Sequence, residues 1–481
     1  MITILGILYV TAVTLLSLFG ILGLYTLWQY WLHRRDAFPC PTADWESLPP
    51  VTVQLPIYNE RFVVGRLIET AVSLHYPPDR LQIQILDDST DDTTQQAANL
   101  VAHFQSQGVN IQLYHRHNRQ GYKAGALAAA QPHVTGDYIA IFDADFQPPP
   151  EFLLQTIPHF LQEPDLGVIQ TRWGHLNAEQ SPLTAAQAIA LDKHFAMEQT
   201  VRHRANLFPK FNGAGGIWRR ASIEDAGGWQ DDTVCEDLCL STRALLRRWR
   251  FRFLNDVISP AELPPTITAY KIQQARWAKG STQCLRKFGA QILLDKGQTL
   301  ASRLYGLLSM AAYSSNLLLL LLLLLQIPLI AARYQFSPNL VIFSVIAVSQ
   351  PLLFILGQQV LYPDWLRRLR HFPTLMLVAI GLAPSNGRAI LQALFSHHHP
   401  FVRTPKQGAG TGTGTGTAVQ PYHFPFDWII LVELFLAAYA GLGIILAVRQ
   451  QNFGPVLFLG ACLLGLSAVA VLSLRDLSAT P

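Results

Sequence analysis

Charged residues are scarce in this chain. Only 14% of its 481 residues are Asp, Glu, Lys or Arg, whereas 50% are hydrophobic, and an ordinary soluble domain carries roughly 25% charged residues. This composition excludes a disordered chain, a collagen and a small disulfide scaffold. Length alone favours about three domains of roughly 150 residues, but the apolar excess is concentrated at the two ends. The sequence therefore predicts a soluble middle between membrane-spanning ends.

The low net charge and the spacing of the cysteines exclude further kinds of partner and site. The formal net charge is only +4, and the basic residues form no run, so we predict no nucleic-acid partner. The five cysteines are scattered, and Cys235 and Cys239 have neither CxxC spacing nor a second ligand pair for structural zinc. We predict reduced thiols, which suit a cytosol-facing domain.

Charge-free stretches predict five membrane spans. The first, residues 1–32, lacks Asp, Glu, Lys and Arg, has none of the features of a signal peptide and is long enough to cross a hydrocarbon core of ~30 Å. The other four predicted spans are Leu304–Ala332, Pro338–Leu361, Asp427–Val448 and Gly454–Leu474.

The basic residues beside these spans predict an orientation. Arg34 and Arg35 follow the first span, arginines at 367–370 follow the third, and Arg475 closes the fifth. By the positive-inside rule these ends lie in the cytosol, with the N-terminus outside and the C-terminus inside. We therefore expect a multi-pass protein of the plasma or inner membrane.

Two segments between the third and fourth spans need separate interpretation. Residues 372–395 are apolar but interrupted by Pro384 and Arg388, which favours interfacial or re-entrant helices. Residues 396–426 contain three consecutive histidines and a Gly-Thr repeat and are predicted to be a cytosolic loop. The predicted domains are thus a transmembrane helix at 1–35, a soluble domain at 49–300 and a membrane domain at 301–481.

In the soluble middle, apolar strands alternate with helical patterns. The predicted strands are Val51–Leu55, Leu81–Leu86, Ile111–Tyr114 and Tyr138–Phe142. This alternation predicts a parallel, doubly wound α/β sheet, in which ligands bind at the carboxyl ends of the strands. Polar clusters follow three of these strands, at 56–60, 87–93 and 143–145, although any one of them is also ordinary turn chemistry.

The last of these clusters has the most specific chemistry. Asp143 and Asp145 are two carboxylates two residues apart at a strand end, and Mg²⁺ or Mn²⁺ binds such a pair together with substrate phosphate oxygens. Lys123 lies beside glycines before a small-residue helix and could help to cradle a phosphate. The Walker pattern is absent, so an ATPase loses its main support.

Two helical segments further along the chain are open to two interpretations. Asp237 follows a Gly-rich stretch and begins a helix, where a carboxylate could act as a general base or could simply complement the helix dipole. Tyr270–Leu294 mixes Lys and Arg with Trp277 and Phe288 just before a span, a pattern that is also typical of an interfacial anchor.

The motifs occur in an order that resembles one family. They are PIYNE (56–60), LDDSTD (86–91), NRQGYKAGAL (118–127), FDADFQP (142–148), FNGAGGIWR (211–219), CED (235–237) and QQARW (273–277). Over about residues 50–290 the set resembles the membrane-bound, processive family 2 glycosyltransferases, and most of all the cellulose-synthase-like mannan and glucan synthases. FVRTPK (401–406) is similar to the cytosolic gating-loop motif of that family.

The resemblance implies a nucleotide-sugar-binding α/β domain of the GT-A type, Rossmann-like and cytosolic, inserted between α-helical transmembrane segments. It also implies a role for each matching residue. Asp88, with Tyr58 and Glu60, would bind the base and ribose with help from Lys123; Asp143 and Asp145 would bind the diphosphate, chiefly through Mg²⁺ or Mn²⁺ on Asp145; Asp237 would be the general base; Gln273, Arg276 and Trp277 would hold the diphosphate and the acceptor sugar.

The activity that the resemblance implies is inverting, metal-dependent hexosyl transfer. The donor would be UDP-glucose or GDP-mannose, the acceptor a growing β-1,4-glucan or mannan, and elongation would be coupled to export, with accessory export proteins as further partners. Cys235 stands where the family usually has Thr, which puts the local packing and pH profile in doubt. Because nothing soluble follows the last predicted span, we expect no cyclic-dinucleotide control.

Two other functions compete with this hypothesis. A glycolipid synthase would use the same chemistry to add a single β-glucosyl residue to diacylglycerol or ceramide. A transporter or membrane scaffold with an inactive α/β domain would be expected to have lost Asp143, Asp145, Asp237 or Arg276, and all four are present.

Overall fold

The computed structural model describes residues 1–36, 38–395 and 424–478. Helix α1 (Ile2–His33) begins the chain, a sheet-containing domain follows, and a group of helices ends it. The FVRTPK motif, the three histidines and the Gly-Thr repeat lie outside the described residues.

A seven-stranded sheet forms the centre of the middle domain. Its strands are β1 (Val51–Ile57), β2 (Leu81–Asp87), β3 (Ile111–His115), β4 (Tyr138–Ile141), β5 (Leu166–His175), β6 (Gly216–Arg219) and β7 (Arg250–Ala261). They are arranged in the order β3-β2-β1-β4-β6-β5-β7. The four predicted strands begin at the expected residues and end within two residues of the expected positions.

The prediction of an all-parallel sheet is corrected by one strand. β6 pairs antiparallel with both β4 and β5, whereas the other neighbouring pairs are parallel. The loop before β6 lies at the carboxyl end of β4, where the Gly215 amide donates to the Ile141 carbonyl at 2.9 Å. β6 begins at that edge and therefore runs in the opposite direction. The other six strands all end at this edge.

The central register is fixed by buried polar side chains as well as by apolar packing. Thr52 Oγ1 donates to Gln82 Oε1 at 2.8 Å, and Gln54 Nε2 donates to Gln84 Oε1 at 3.0 Å. Both pairs join directly opposite residues of β1 and β2. A shift of one residue would leave these buried groups unpaired, so the register that aligns the strand ends is strongly specified.

Short helices cover both faces of the sheet. They are α2 (Val64–Val72), α3 (Thr93–Ser106), α4 (Tyr122–Ala130), α5 (Phe152–Gln162), α6 (Pro182–Lys193), α7 (Thr200–Arg204), α8 (Arg220–Asp225) and α9 (Glu236–Leu246). Two apolar clusters result, one on each face, and the fully buried Phe142 and Trp218 belong to different clusters.

The remaining helices include most of the candidate membrane spans. They are α10 (Ile267–Leu294), α11 (Leu300–Met310), α12 (Ser314–Ala331), α13 (Val341–Ala347), α14 (Ser349–Leu361), α15 (Trp365–Arg368), α16 (Phe372–Gly381), α17 (Ala383–Phe395), α18 (Ile429–Arg449) and α19 (Val456–Ser478). Within the described residues five helices are long and apolar enough to cross a bilayer: α1, α12, the pair α13–α14, α18 and α19.

The second predicted span differs from the structure at its start. Leu304–Ala332 was expected as one helix, but α11 and α12 are separate and only Ser314–Ala331 has the properties of a span. Helix α11 packs under the sheet domain, since a Cβ on Gly306 would lie 2.6 Å from the Phe208 ring. Helix α11 is therefore packed against the sheet domain.

The number of membrane crossings depends on whether helices α15–α17 form a span. The segment Trp365–Gly381 meets Ala383–Phe395 at a 42° bend, which fits either a broken span or a re-entrant loop. We expect a re-entrant pair, because α17 carries the charged Arg388, and a charge within the bilayer core is costly.

A protease-protection experiment on a doubly tagged chain tests this expectation. With five spans, sealed membrane vesicles should protect one terminal tag and leave the other open to digestion, because an odd number of crossings puts the termini on opposite sides. Detergent should expose both tags in a control sample. Equal protection of the two tags in intact vesicles would show an even number of spans.

Candidate active site

One cleft at the carboxyl edge of the sheet is lined by all ten of the predicted site residues. Its volume is about 170 Å³. The contributing elements are the ends of β1, β2 and β4, the first turns of α4 and α9, and one side of α10. The predicted residues that line it are Tyr58, Glu60, Asp88, Lys123, Asp143, Asp145, Asp237, Gln273, Arg276 and Trp277.

At the β2 side of the cleft, an arginine holds Asp88. Arg116 Nε donates to Asp88 Oδ1 at 2.7 Å and its Nη2 donates to Oδ2 at 2.6 Å, a bidentate pair that fixes the carboxylate plane. Arg119 stacks its guanidinium 3.4 Å from the centre of the Tyr58 ring. The expected base-and-ribose region therefore presents a flat cation over an aromatic ring as well as the predicted carboxylate.

The turn after β1 is fastened to the end of β2. Asn59 has a positive φ of 53°, which Asn tolerates better than most residues. Its backbone amide donates to Ser89 Oγ at 2.8 Å, and its side-chain oxygen accepts from the Thr90 amide at 2.8 Å. These bonds hold the PIYNE turn against the LDDSTD segment, so the two motifs form one wall.

Lys123 lies on the diphosphate side of the predicted site. Its Nζ donates to Asp143 Oδ1 at 2.5 Å and to the Gly213 carbonyl at 2.8 Å, and it is 3.9 Å from Glu236. Burial alone would lower the pKa of Lys123, but the carboxylates of Asp143 and Glu236 outweigh it and raise that pKa. The lysine thus stays charged and neutralises part of the acidic cleft.

The donor set at Asp143 and Asp145 fits a divalent ion shared with a substrate. Asp145 is buried and Asp143 is partly exposed, and both lie directly after β4 in the cleft. No group of three His, Cys, Asp or Glu residues suited to a metal occurs in the part of the chain that the structure describes. Two carboxylates leave most of an octahedral shell to water and phosphate, which suits Mg²⁺ or Mn²⁺.

Asp237 and Glu236 open helix α9 at the floor of the cleft. Burial raises the pKa of Asp237 above the ordinary aspartate value, while the Leu238 amide and the charges of Lys123, Lys210 and Arg276 oppose the rise. Burial also raises the pKa of Glu236. A carboxylate with a raised pKa is a stronger base while it remains ionised, which is what proton abstraction from a hydroxyl requires.

The cysteine that precedes this pair has a packing explanation. Helix α10 passes so close to Cys235 that a Cβ on Gly280 would lie 2.2 Å from Cys235 Sγ. Burial raises the pKa of the Cys235 thiol well above its usual range, so the side chain is a neutral packing group. All five cysteines are free in the structure, as predicted.

Helix α10 supplies the wall opposite the strand ends. Gln273, Arg276 and Trp277 line the cleft, and the charge of Arg276 lowers the pKa values of both Glu236 and Asp237. The positive group of the QQARW motif therefore acts on the same acids that the CED motif presents.

Several residues that line the cleft, or that hold a residue lining it, were missed from the sequence. Arg116 directly follows β3, and a search for charged groups after every predicted strand would have found it. Arg119 lies inside the NRQGYKAGAL motif, in which only Lys123 was assigned a role. Trp173 and His175, at the carboxyl end of β5, also line the cleft, but their strand was not predicted and gave no signal.

Comparisons with known proteins show which family the sheet domain resembles. Residues 49–280 match the family model described as glycosyltransferase like family 2. The chain is 44% identical over 254 residues to glucomannan 4-beta-mannosyltransferase 2 of Arabidopsis thaliana, covering 52% of this chain and 48% of the relative. It is 42% identical over 263 residues to a probable glucomannan 4-beta-mannosyltransferase 9 of Oryza sativa subsp. japonica, covering 54% and 50%. The chain thus spans about half the length of these relatives.

The fold also has a solved counterpart. The structure of the mannosyltransferase PcManGT from Pyrobaculum calidifontis, in complex with GDP-Man and Mn²⁺, superimposes with a TM-score of 0.56 at 21% identity. The match covers 81% of this chain and 100% of that one, and it shows a shared GT-A-like fold. Residues 49–280 therefore belong to the glycosyltransferase-like family 2, with cellulose-synthase-like glucomannan mannosyltransferases among their relatives.

Proposed function

We propose that the chain transfers a hexose, with mannose from GDP-mannose as the preferred donor, to a growing β-linked polysaccharide. The observation that carries the proposal is the meeting of Asp143, Asp145, Asp237 and Arg276 in one cleft. The choice of mannose is supported by the 42–44% identity to proteins named glucomannan 4-beta-mannosyltransferases. Those names also favour a polysaccharide acceptor over the single-sugar glycolipid alternative.

In the proposed reaction Asp237 acts as the general base. It takes the proton from the acceptor hydroxyl as that oxygen attacks the anomeric carbon, and the bond to the nucleoside diphosphate breaks on the opposite face. Arg276 stabilises the negative charge that grows on the departing diphosphate. A single displacement of this kind inverts the anomeric centre, so an α-linked donor gives a β-linked product.

The other side of the cleft would hold the donor. Asp88, positioned by Arg116, would bind the ribose, with Tyr58, Glu60 and the stacked Arg119 beside the base. Asp143 and Asp145 would hold Mg²⁺ or Mn²⁺, which when bound would neutralise diphosphate charge in the ground state and in the transition state. Gln273 and Trp277 would position the diphosphate and the acceptor sugar.

The membrane helices support a further part of the proposal. We place the catalytic domain in the cytosol, where sugar nucleotides are made, and propose that the polymer leaves through the helices α12–α19. A route is needed because a hydrophilic polymer cannot cross hydrocarbon unaided. The five candidate spans would form its walls.

Separate incubations with radiolabelled GDP-mannose and UDP-glucose test the donor and the product together. Membranes containing the protein should incorporate mannose into an insoluble polymer that a β-mannanase digests, and only when Mn²⁺ or Mg²⁺ is present. Asp145→Asn should lower incorporation and raise the metal concentration required. A labelled product that extracts into organic solvent as a single-sugar lipid would overturn the polysaccharide proposal.

Replacement of the proposed base separates binding from transfer. Asp237→Asn should lower kcat by about 10²–10⁴-fold, the usual contribution of a general base, while calorimetry should show donor nucleotide binding close to that of the wild type. Asp79→Asn, at a side chain that is 78% exposed, is the matched control and should retain activity. Normal turnover in Asp237→Asn would exclude this residue as the base.

The acid limb of the pH–rate profile reports the same carboxylate. Burial raises the pKa of Asp237. As the pH is lowered, kcat/KM should therefore begin to fall at a pH above ~3.9, the ordinary aspartate pKa. The charge of Lys210 lowers the pKa of Asp237, so Lys210→Met should move the acid limb to higher pH. An acid limb that stays in place in Lys210→Met would contradict the proposed electrostatics.

A further inference from the structure

Helix α10 presents its motif residues on one side and an ion pair on the other. Gln273, Arg276 and Trp277 line the cleft. At about 100° per residue, they lie roughly 140–240° around the helix axis from Lys271. Lys271 is therefore on the back of the helix and is almost completely buried. The contacts of Lys271 therefore affect the orientation of the α10 residues that line the cleft.

The back of α10 packs on the membrane helices. Ala278 is fully buried in a cluster with Ala389 and Ile390 of α17, and Gln274 accepts a hydrogen bond from the Tyr313 hydroxyl, just before α12, at 3.0 Å. Small apolar side chains make a close but smooth contact. Apolar contacts of that kind tolerate repacking, whereas a buried charge must keep its partner.

The charged contact on this side is a buried ion pair with α18. Lys271 Nζ is 2.7 Å from Glu433 Oε1, and Glu433 is fully buried. The structure shows one ion-pair partner for Glu433 within the described residues, and Glu433 is the only acid in the sequence of α18. Lys271 also donates to Ser473 Oγ of α19 at 3.3 Å. A charge in this position is costly unless it is paired.

A second polar contact fixes the beginning of the same helix. The Thr268 amide, in the first turn of α10, donates to Asp476 Oδ2 of α19 at 2.8 Å. Helix α10 is thus joined to both C-terminal membrane helices within its first two turns, immediately before the residues that line the cleft.

We propose that Lys271 and Glu433 are a positioning pair, which fixes the rotation of α10 and so places Gln273, Arg276 and Trp277 in the cleft. The proposal rests on the proposed function for its catalytic readout. Neither residue touches the cleft, and the pair acts through the helix. Apolar packing at the same place could not replace the attraction between the two opposite charges, which holds this side of α10 towards α18.

Three variants distinguish positioning from simple stabilisation. Glu433→Gln should lower kcat by on the order of 10²-fold, the cost of misplacing a catalytic group by about 1 Å, with a smaller change in the KM for the donor. The neutral pair Lys271→Met with Glu433→Met should recover the Tm lost in Glu433→Gln, because apolar residues often replace buried ion pairs without loss of stability, but should not recover kcat. The exchanged pair Lys271→Glu with Glu433→Lys should recover more kcat than the neutral pair.

The control is another acid of the C-terminal helices. Asp364 forms an ion pair with Arg368 at 3.0 Å but is 46% exposed, so Asp364→Asn should change kcat by less than about twofold. Wild-type kcat in Glu433→Gln, or in the neutral pair, would overturn the positioning role.

Hydrogen exchange provides a readout that does not depend on the reaction. Backbone amides of α10 from Lys271 to Trp277 should exchange faster in the neutral pair than in the wild type, although Tm is restored. Unchanged exchange would overturn the proposal even if the protein transfers hexose. An inactive wild type would instead count against the proposed function, while the exchange data would still decide the role of the pair.

Discussion

The cleft depends on the balance of charge where six strands end at one edge. The registers of β1, β2 and β4 bring Asp88, Asp143 and Asp145 to that edge, and such a concentration of carboxylates would repel itself without cations. Arg116 pairs with Asp88 and Lys123 pairs with Asp143. Of these two cations, Lys123 also lines the cleft, where in the proposed function it would meet the anionic diphosphate.

The floor of the cleft follows from the same balance. Asp237 and Glu236 are adjacent acids in the half-buried first turn of α9. Loss of solvent raises the pKa of each, while Lys123 and Arg276 limit the rise. Burial thus raises the pKa of Asp237, while the neighbouring cations favour its ionised form. In the proposed reaction the two requirements of a general base are met by burial and by cations that belong to other motifs.

The sequence allowed much of the site to be predicted, and the reasons for the omissions are physical. Motifs after strong apolar strands, such as Asp143 and Asp145, were found because a strand and its end are local patterns. β6 and the cleft residues of β5 were missed because their position depends on how a glycine-rich loop re-enters the sheet. Glu433 was passed over because a single acid in an apolar helix has meaning only when its partner, Lys271, is known.

Helix α10 contacts candidate membrane helices on one side and lines the cleft on the other. The central claim about the cleft is a single displacement with Asp237 as base. The most direct test is an NMR determination of the anomeric configuration of the first linkage formed from an α-linked sugar nucleotide. The account predicts a β linkage from the first turnover. An α linkage would show retention and would contradict the proposed mechanism.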